Sequence, residues 1–380
     1  MKIALSFPGC HRRGGVERIM LECARFLSQR EHDVHVYAQE WEEDAAFPIH
    51  FHAVPQPPSL PYLRGPIYKR ECEKMLRATN YDVLNTHGVV CPTGGVMWTQ
   101  SIHRAWLEKS RTMRSPWAVA RLKQRLNPLH RVLLQLEEEH YSRRNYQKII
   151  ATTKDVRDDL HHFYDVPHED VVIIPNGFNP VEFNPERRAA RRAEMRAQLG
   201  LQPEHIVLLF VANELERKGF YTLLDALRRL KRRDLRLVCI GRVDKSAVEH
   251  VAEEYGLRDQ VLACGSTQDV AGFHAAADLF VLPTQYEAFC LAILESLGSG
   301  LPVVTTRVPG AYDAIVPGEN GVLIEDPKSG AQLAEALQPL LDRNVREWMS
   351  DKTPATVAQY QWPHVLSRYE DVLKIYGMAR

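Results

Sequence analysis

The most constraining feature of this chain is an alternation repeated through its second half. Six short apolar runs, at 206–212, 235–240, 261–264, 279–282, 303–305 and 321–324, recur with helix-length segments between them. Runs this short and mostly apolar read as strands buried on both faces, and helical crossovers between them require a parallel sheet. Helical spacing is clearest at 220–230, 246–255, 270–276 and 290–297. The first half opens the same way. Residues 3–7 read as a buried strand and 8–15 as a loop. Val16, Ile19, Met20, Cys23, Ala24 and Leu27 then line one helix face, and 33–38 is the next strand. Further strands are expected at 81–86, 148–151 and 171–174.

Between Trp98 and Lys148 the alternation breaks, and 121–141 keeps a helical period through Leu122, Leu126, Leu129, Val132, Leu133 and Leu136. Pro175-Asn176-Gly177, with Pro180 and Pro185, marks a linker before the charged run 186–196. A chain of 380 residues is too long for one ordinary domain and suits two. The expected architecture is α/β, two doubly wound Rossmann-like parallel-sheet domains, 1–177 and 178–362, facing a cleft. Ligands bind at the carboxyl ends of such strands. The closing helical stretch, within 363–380, has no strand after it and can pack on either domain.

Lys+Arg and Asp+Glu both number 48, which disfavours a dedicated nucleic-acid binder. No apolar run has the length of a membrane span, and no signal peptide opens the chain. The seven cysteines (10, 23, 72, 91, 239, 264 and 290) are scattered and form no CxxC pair. A disulfide framework or structural zinc site is therefore not expected, and a reducing cytosol fits best.

Gly9-Cys-His-Arg-Arg-Gly14-Gly15 follows the first strand and opens a helix. It is not a P-loop, because Val16 and Glu17 stand where Lys and Ser/Thr are required, and it lacks the GxGxxG spacing. Either it favours an anion at a helix start, or it is only a tight turn that needs small residues. The segment from Pro283 to Val304 is more informative. It reads as a strand end, a loop holding Glu287, a helix start near Phe289–Leu291 whose N–H groups suit a phosphate, and Glu295 within the helix, placed to accept from a ribose diol. Two surface glutamates flanking an amphipathic helix would look the same.

Glu287 and Glu295 match the Glu-x7-Glu motif of retaining glycosyltransferases of family 4, which have the two-Rossmann-domain GT-B architecture. Gly300-Leu-Pro302-Val resembles that family's G-x-P-V segment, and Gly14-Gly15-Val16-Glu17 its glycine loop. Glu216-Arg217-Lys218-Gly219 resembles the basic pair that holds the donor diphosphate, and Pro175-Asn176-Gly177 its interdomain turn. These matches keep the family's order over nearly the whole chain. The stretch 36–42 and the Arg217-Lys218-Gly219 context look, more narrowly, like the lipopolysaccharide-core heptose glucosyltransferase branch.

The resemblance implies a nucleotide-sugar donor, with UDP-glucose from the narrower branch, and a glycan or lipid-linked acceptor. It assigns Glu287, Arg217, Lys218 and His103 to catalysis, although the residues flanking His103 differ from the family's. It places Gly14, Gly15, Gly241, Val270, Ala288, Phe289, Cys290, Leu291 and Glu295, with Arg217, Lys218 and Glu287, around the donor. His87 before Gly88 is a weaker candidate of the same kind as His103.

The basic pair also has a chemical rationale. Cleavage of a nucleotide sugar loads charge onto the β-phosphate, and many such enzymes neutralise it with a metal held by Asp-x-Asp. This sequence contains no Asp-x-Asp. Arg217 and Lys218 can supply the neutralisation, so no metal or other cofactor is expected. A nucleotide-sugar epimerase of the same fold, or a non-catalytic sugar-nucleotide binder, are the alternatives; a phosphorylase has no signal. From His103 through Lys148 stand eleven Lys/Arg and four Asp/Glu, with Trp106 and Trp117. That balance suits either a solvated helical face or peripheral docking on anionic lipid at the inner face of the membrane.

Overall fold

The computed structural model describes residues 1–12, 14–42, 46–113 and 126–377. The chain divides into two compact units, Met1–Asn176 with Pro363–Arg380, and Gly177–Trp362.

The strands of the first unit are β1 (Lys2–Ser6), β2 (Gly9–Cys10), β3 (Asp33–Ala38), β4 (Glu40–Trp41), β5 (Ile49–Ala53), β6 (Val83–His87), β7 (Val96–Thr99), β8 (Lys148–Ala151) and β9 (Val171–Ile173). Seven of them form one sheet in the order β5-β3-β1-β6-β7-β8-β9, every pair parallel. The short β2 and β4 pair separately. Helix Val16–Gln29 presents Ile19, Met20, Cys23, Ala24 and Leu27 to the core, the face its periodicity requires.

One expectation needs correction here, and one left open is decided. A single helix over 121–141 is interrupted at Asn127, which caps a new helix, Pro128–Glu137, by accepting from Leu129 N–H. Pro128 cannot continue a preceding helix but suits a first turn. Residues 121–125, and Trp117, lie outside the described residues. The closing helix, Trp362–Gly377, joins the first unit: Tyr369 Oη donates to Asn85 Oδ1 at 2.9 Å, and Arg368 donates to the Ile173 carbonyl at 2.8 Å.

The second unit holds β10 (Ile206–Val211), β11 (Leu235–Ile240), β12 (Val261–Gly265), β13 (Leu279–Leu282), β14 (Val303–Thr306) and β15 (Gly321–Ile324). All pairs are parallel in the order β12-β11-β10-β13-β14-β15. The chain winds outward one way from β10, returns, and winds the other way from β13. The loops after β10 and β13 therefore diverge at a topological switch point. The charged run 186–196 is a helix, Pro185–Gln198, capped by Asn184. Its Arg192 and Arg196 pair with Asp278 at 2.6 and 3.4 Å, while Arg188 donates to the Gly300 and Ala277 carbonyls. Gly177 and Phe178 lie against the end of the same unit. Phe178 N–H donates to the Tyr360 carbonyl at 3.0 Å and the Phe178 carbonyl accepts from Trp362 N–H at 2.9 Å, and a Cβ on Gly177 would stand 2.6 Å from the Trp362 ring.

Among the described residues, no helix is long and apolar enough to cross a membrane. All seven cysteines are unbridged.

Candidate active site

At the switch point of the second sheet, the loop after β10 carries Arg217 and Lys218 and the loop after β13 carries Glu287. Gly219 makes their approach possible. It adopts φ +83°, which an L side chain rarely tolerates, and a Cβ there would collide with the Pro283 carbonyl. Main-chain bonds then stitch the loops together, Gln285 N–H donating to the Arg217 carbonyl at 2.8 Å.

Three donors converge on one oxygen. Glu287 Oε1 lies 2.5 Å from Lys218 Nζ, 3.0 Å from an Arg217 guanidinium nitrogen and 3.0 Å from Thr284 Oγ1. Arg217 also donates to the Tyr286 carbonyl at 2.7 Å and pairs with Glu214 at 3.1 Å. Burial alone would raise the Glu287 carboxyl, but the Lys218 and Arg217 charges outweigh it and hold the group below the usual carboxylate range. Lys218 is buried as well, yet it stays above its ordinary value because Cys290 and Glu287 face it. The pair is therefore charged at neutral pH.

Helix Leu291–Gly298 begins beside this cluster, with Cys290 at its N-cap and no side-chain capping bond. Burial pushes the Cys290 thiol up, and the nearby Lys218 charge partly offsets it. First-turn N–H groups next to two cations form an anion-binding arrangement. Ala288 lies in the loop before the helix, and the Phe289 ring packs near Tyr360, with centroids 6.3 Å apart. Glu295 sits in the fifth helical position and is only 4% exposed.

The remaining donor candidates of this unit lie on neighbouring loops. Gly241 adopts φ +133° where any Cβ would strike the Ala212 carbonyl, and Arg242 N–H donates to Asn213 Oδ1 at 2.9 Å. Val270 opens a helix capped by Asp269, whose carboxylate also takes both Arg191 nitrogens at 2.6 and 2.7 Å.

Gly14 and Gly15 belong to the first unit, on the loop between β1 and helix Val16–Gln29. Gly14 has φ +131°, and space is open around Gly15. His103 begins helix His103–Met113 in the same unit. Its Nε2 lies 3.1 Å from His130 Nδ1, and its ring stacks on Trp106. Burial and His130 lower its pKa to about 4, so it is neutral at pH 7. The buried Glu137 accepts from the His103 and Arg104 N–H groups and from Tyr164 Oη, so its own carboxyl fills that helix start, with burial pushing that carboxyl up. His87 ends β6, fully buried, and desolvation lowers it to about 3.

Sequence reasoning missed Thr284, His130 and Glu137. Thr284 lay inside the Pro283–Val304 segment, but a lone hydroxyl carries no spacing signal. Glu137 and His130 meet His103 only through tertiary packing.

Residues 13–182 match Glycosyltransferase Family 4, and residues 191–355 match Glycosyl transferases group 1. Among curated relatives, the lipopolysaccharide glucosyltransferase WaaG of Escherichia coli (strain K12) is 26% identical over 371 residues, 96% of this chain and 93% of that one. The uncharacterized glycosyltransferase MJ1607 of Methanocaldococcus jannaschii is 27% identical over 234 residues, 60% of each chain. A D-inositol 3-phosphate glycosyltransferase of Corynebacterium diphtheriae is 31% identical over 62% of this chain and 57% of its own. The last two are thus matched over less than two thirds of their length. A crystal structure of WaaG shares the fold with a TM-score of 0.83 at 24% identity, covering 98% of this chain and 99% of that one. Sucrose-phosphate synthase from Thermosynechococcus elongatus does so with a TM-score of 0.80 at 20% identity, covering 100% and 99%.

Proposed function

From the premise that this chain belongs to the GT-B glycosyltransferases, joining a Family 4 module to a group 1 module, we propose that it is a retaining, metal-independent hexosyltransferase. The observation that carries this reading is the meeting of Arg217, Lys218 and Glu287 at the switch point, beside an uncapped helix start.

The donor diphosphate binds the first-turn N–H groups of helix Leu291–Gly298 and the two cations. As the glycosidic bond breaks, charge builds on the β-phosphate, and the contacts from Arg217 and Lys218 strengthen with it. Thr284 and both cations bond to Glu287 Oε1, which leaves Oε2 to accept from a sugar hydroxyl and hold the ring. Glu295 receives the ribose hydroxyls. The acceptor hydroxyl attacks from the leaving-group face and gives its proton to the departing phosphate. This route needs no covalent glycosyl-enzyme: three donors hold Glu287 Oε1, and the departing phosphate itself serves as the base.

UDP-glucose is the proposed donor and a lipopolysaccharide-type glycan the proposed acceptor, following the full-length relative whose name is lipopolysaccharide glucosyltransferase. The proposed setting is the cytoplasm, with peripheral contact to anionic lipid. The decisive experiment is NMR of the first-formed product with an α-configured donor. An α-linkage is expected; a β-product, or a glycosyl ester trapped on Glu287, overturns the mechanism. Turnover of donor without any acceptor would point to an epimerase instead.

A further inference from the structure

Asp33, His35 and Tyr37 alternate on one face of β3. The parallel register sets His35 beside His50 and Tyr37 beside His52 of β5, the outermost strand of the first sheet. His35 Nε2 lies 3.1 Å from Asp33 Oδ1, and His50 Nε2 lies 3.3 Å from the same oxygen. The His35 and His50 rings stack at 4.7 Å. One ligating atom from each of Asp33, His35 and His50 falls within 4.8 Å of the other two, and among the described residues no other group of three does so.

We propose that Asp33, His35 and His50 bind a single borderline divalent cation, Zn²⁺ being the best match, through one carboxylate oxygen and two imidazole nitrogens. The ligand set selects the metal. Imidazole with one carboxylate suits zinc, nickel or copper, whereas magnesium and calcium demand oxygen ligands. The geometry agrees. Ligands about 2.0–2.1 Å from a tetrahedral ion stand roughly 3.3 Å apart. The two nitrogen-to-oxygen separations already have that length and the nitrogen-to-nitrogen one lies within 4.8 Å, so side-chain adjustment alone can seat an ion without moving the strands.

His52 completes the arrangement from behind. Its Nε2 lies 2.8 Å from His35 Nδ1. When His35 Nε2 ligates the ion, its remaining proton sits on Nδ1 and is donated to His52, which fixes the tautomer as outer partners of metal-bound histidines do. The Tyr37 ring stacks on His52 at 4.5 Å and holds it in place. Access is open on the other side, because the Asp33 and His50 side chains are 48% and 63% exposed while that of His35 is 11% exposed. Water can therefore fill the fourth position.

Asp33, His35 and His50 stand towards the amino ends of their strands, and ligand chemistry in parallel sheets belongs at the carboxyl ends. The cation is thus structural. It clips β5, which has a neighbour on one side only, to β3.

Calorimetric titration of untagged, chelator-treated full-length protein with Zn²⁺ tests this. One equivalent should bind, and Mg²⁺ should not compete. Asp33→Asn and His50→Ala should each weaken binding at least about tenfold, and His52→Ala about 10–100-fold. Both ligand positions are largely exposed, so the ion-free melting temperatures of these variants should match the wild type. Saturating Zn²⁺ should raise the melting temperature of the wild type and leave the ligand variants unmoved. Absence of a bound equivalent near neutral pH, or an affinity unchanged from the wild type in Asp33→Asn and His50→Ala, would overturn the proposal.

Discussion

Lys218 Nζ and Glu287 Oε1 lie 2.5 Å apart, on loops that leave two adjacent strands, β10 and β13, in opposite directions around the sheet. The contact closes the switch point. It places two cations and an acid beside the start of helix Leu291–Gly298.

The first prediction concerns that grip. Arg217→Ala and Lys218→Ala each remove a charge-assisted contact worth about 1.5–3 kcal/mol, so kcat/KM should fall roughly ten- to hundredfold. Neither chelator nor added Mg²⁺ should change wild-type turnover. Glu295→Gln should weaken binding of the bare nucleotide, while Glu287→Gln should spare it. Donor and nucleotide titrations with kinetics at fixed acceptor separate these outcomes.

Glu287 is also a stability element with a defined pH signature. Burial opposes its ionisation, but Lys218 and Arg217 outweigh burial and depress its folded-state pKa. Its contribution is therefore complete above the unfolded value of about 4.3 and is lost as pH falls through the lower folded value. Glu287→Gln should stay folded at 25 °C, lose most turnover, and cost at most about 3–5 kcal/mol at pH 7. Denaturant titrations should show that gap narrowing below pH 4. A gap independent of pH would contradict the assignment.

Histidines set the acid limit of the first unit. Burial lowers His87 to about 3 and His140 to about 4, and burial with His130 lowers His103 to about 4. For these depressed histidines the folded state is favoured above the unfolded value of about 6.5. Stability then declines as pH drops towards 4, because the unfolded chain takes up protons that the native chain refuses. The limiting slope is about 1.4 kcal/mol per pH unit for each histidine. Their ring proton resonances should not titrate between pH 5.5 and 8; a midpoint near 6.5 for His103 would refute its buried, neutral state.

Two glycines should fail in different ways. A Cβ on Gly177 meets the Trp362 ring at 2.6 Å and the Tyr360 carbonyl at 2.8 Å. Gly177→Ala should therefore destabilise the second unit by about 1–3 kcal/mol through overpacking, with donor affinity retained in the folded fraction. Gly219→Ala adds backbone strain at φ +83° and displaces the Pro283 carbonyl that faces it. It should lower donor affinity at 25 °C even where melting curves show a folded protein. Calorimetric donor titration of both variants distinguishes the two effects.

The strands 235–240, 279–282 and 321–324 were legible in the sequence to the residue, because strands covered on both faces are mostly apolar. So was helix Val16–Gln29, whose apolar face is a matter of spacing alone. The edge strand Ile49–Ala53 was not. Ile49, Phe51 and Ala53 alternate with His50 and His52, but over only five residues, none of them buried, so no apolar run marks the strand. Helix Pro185–Gln198 was hidden for a related reason. Beside the buried Met195, its packed face carries Arg188, Arg192 and Arg196, and arginine looks solvated until Asp278 and the carbonyls that receive it are in place.

The same division runs through the site. Glu287, Glu295, Arg217 and Lys218 were each visible as residues of a motif, since their positions after a strand or within a helix are local properties of the chain. Their meeting was not. It depends on β13, rather than β11 alone, lying beside β10, and strand order is settled by which faces bury together across the whole sheet. Periodicity is carried by neighbours in the chain, so one sequence reports it. The approach of Lys218 to Glu287, and of His35 to His50, is carried by neighbours in space, and only the packed fold decides those.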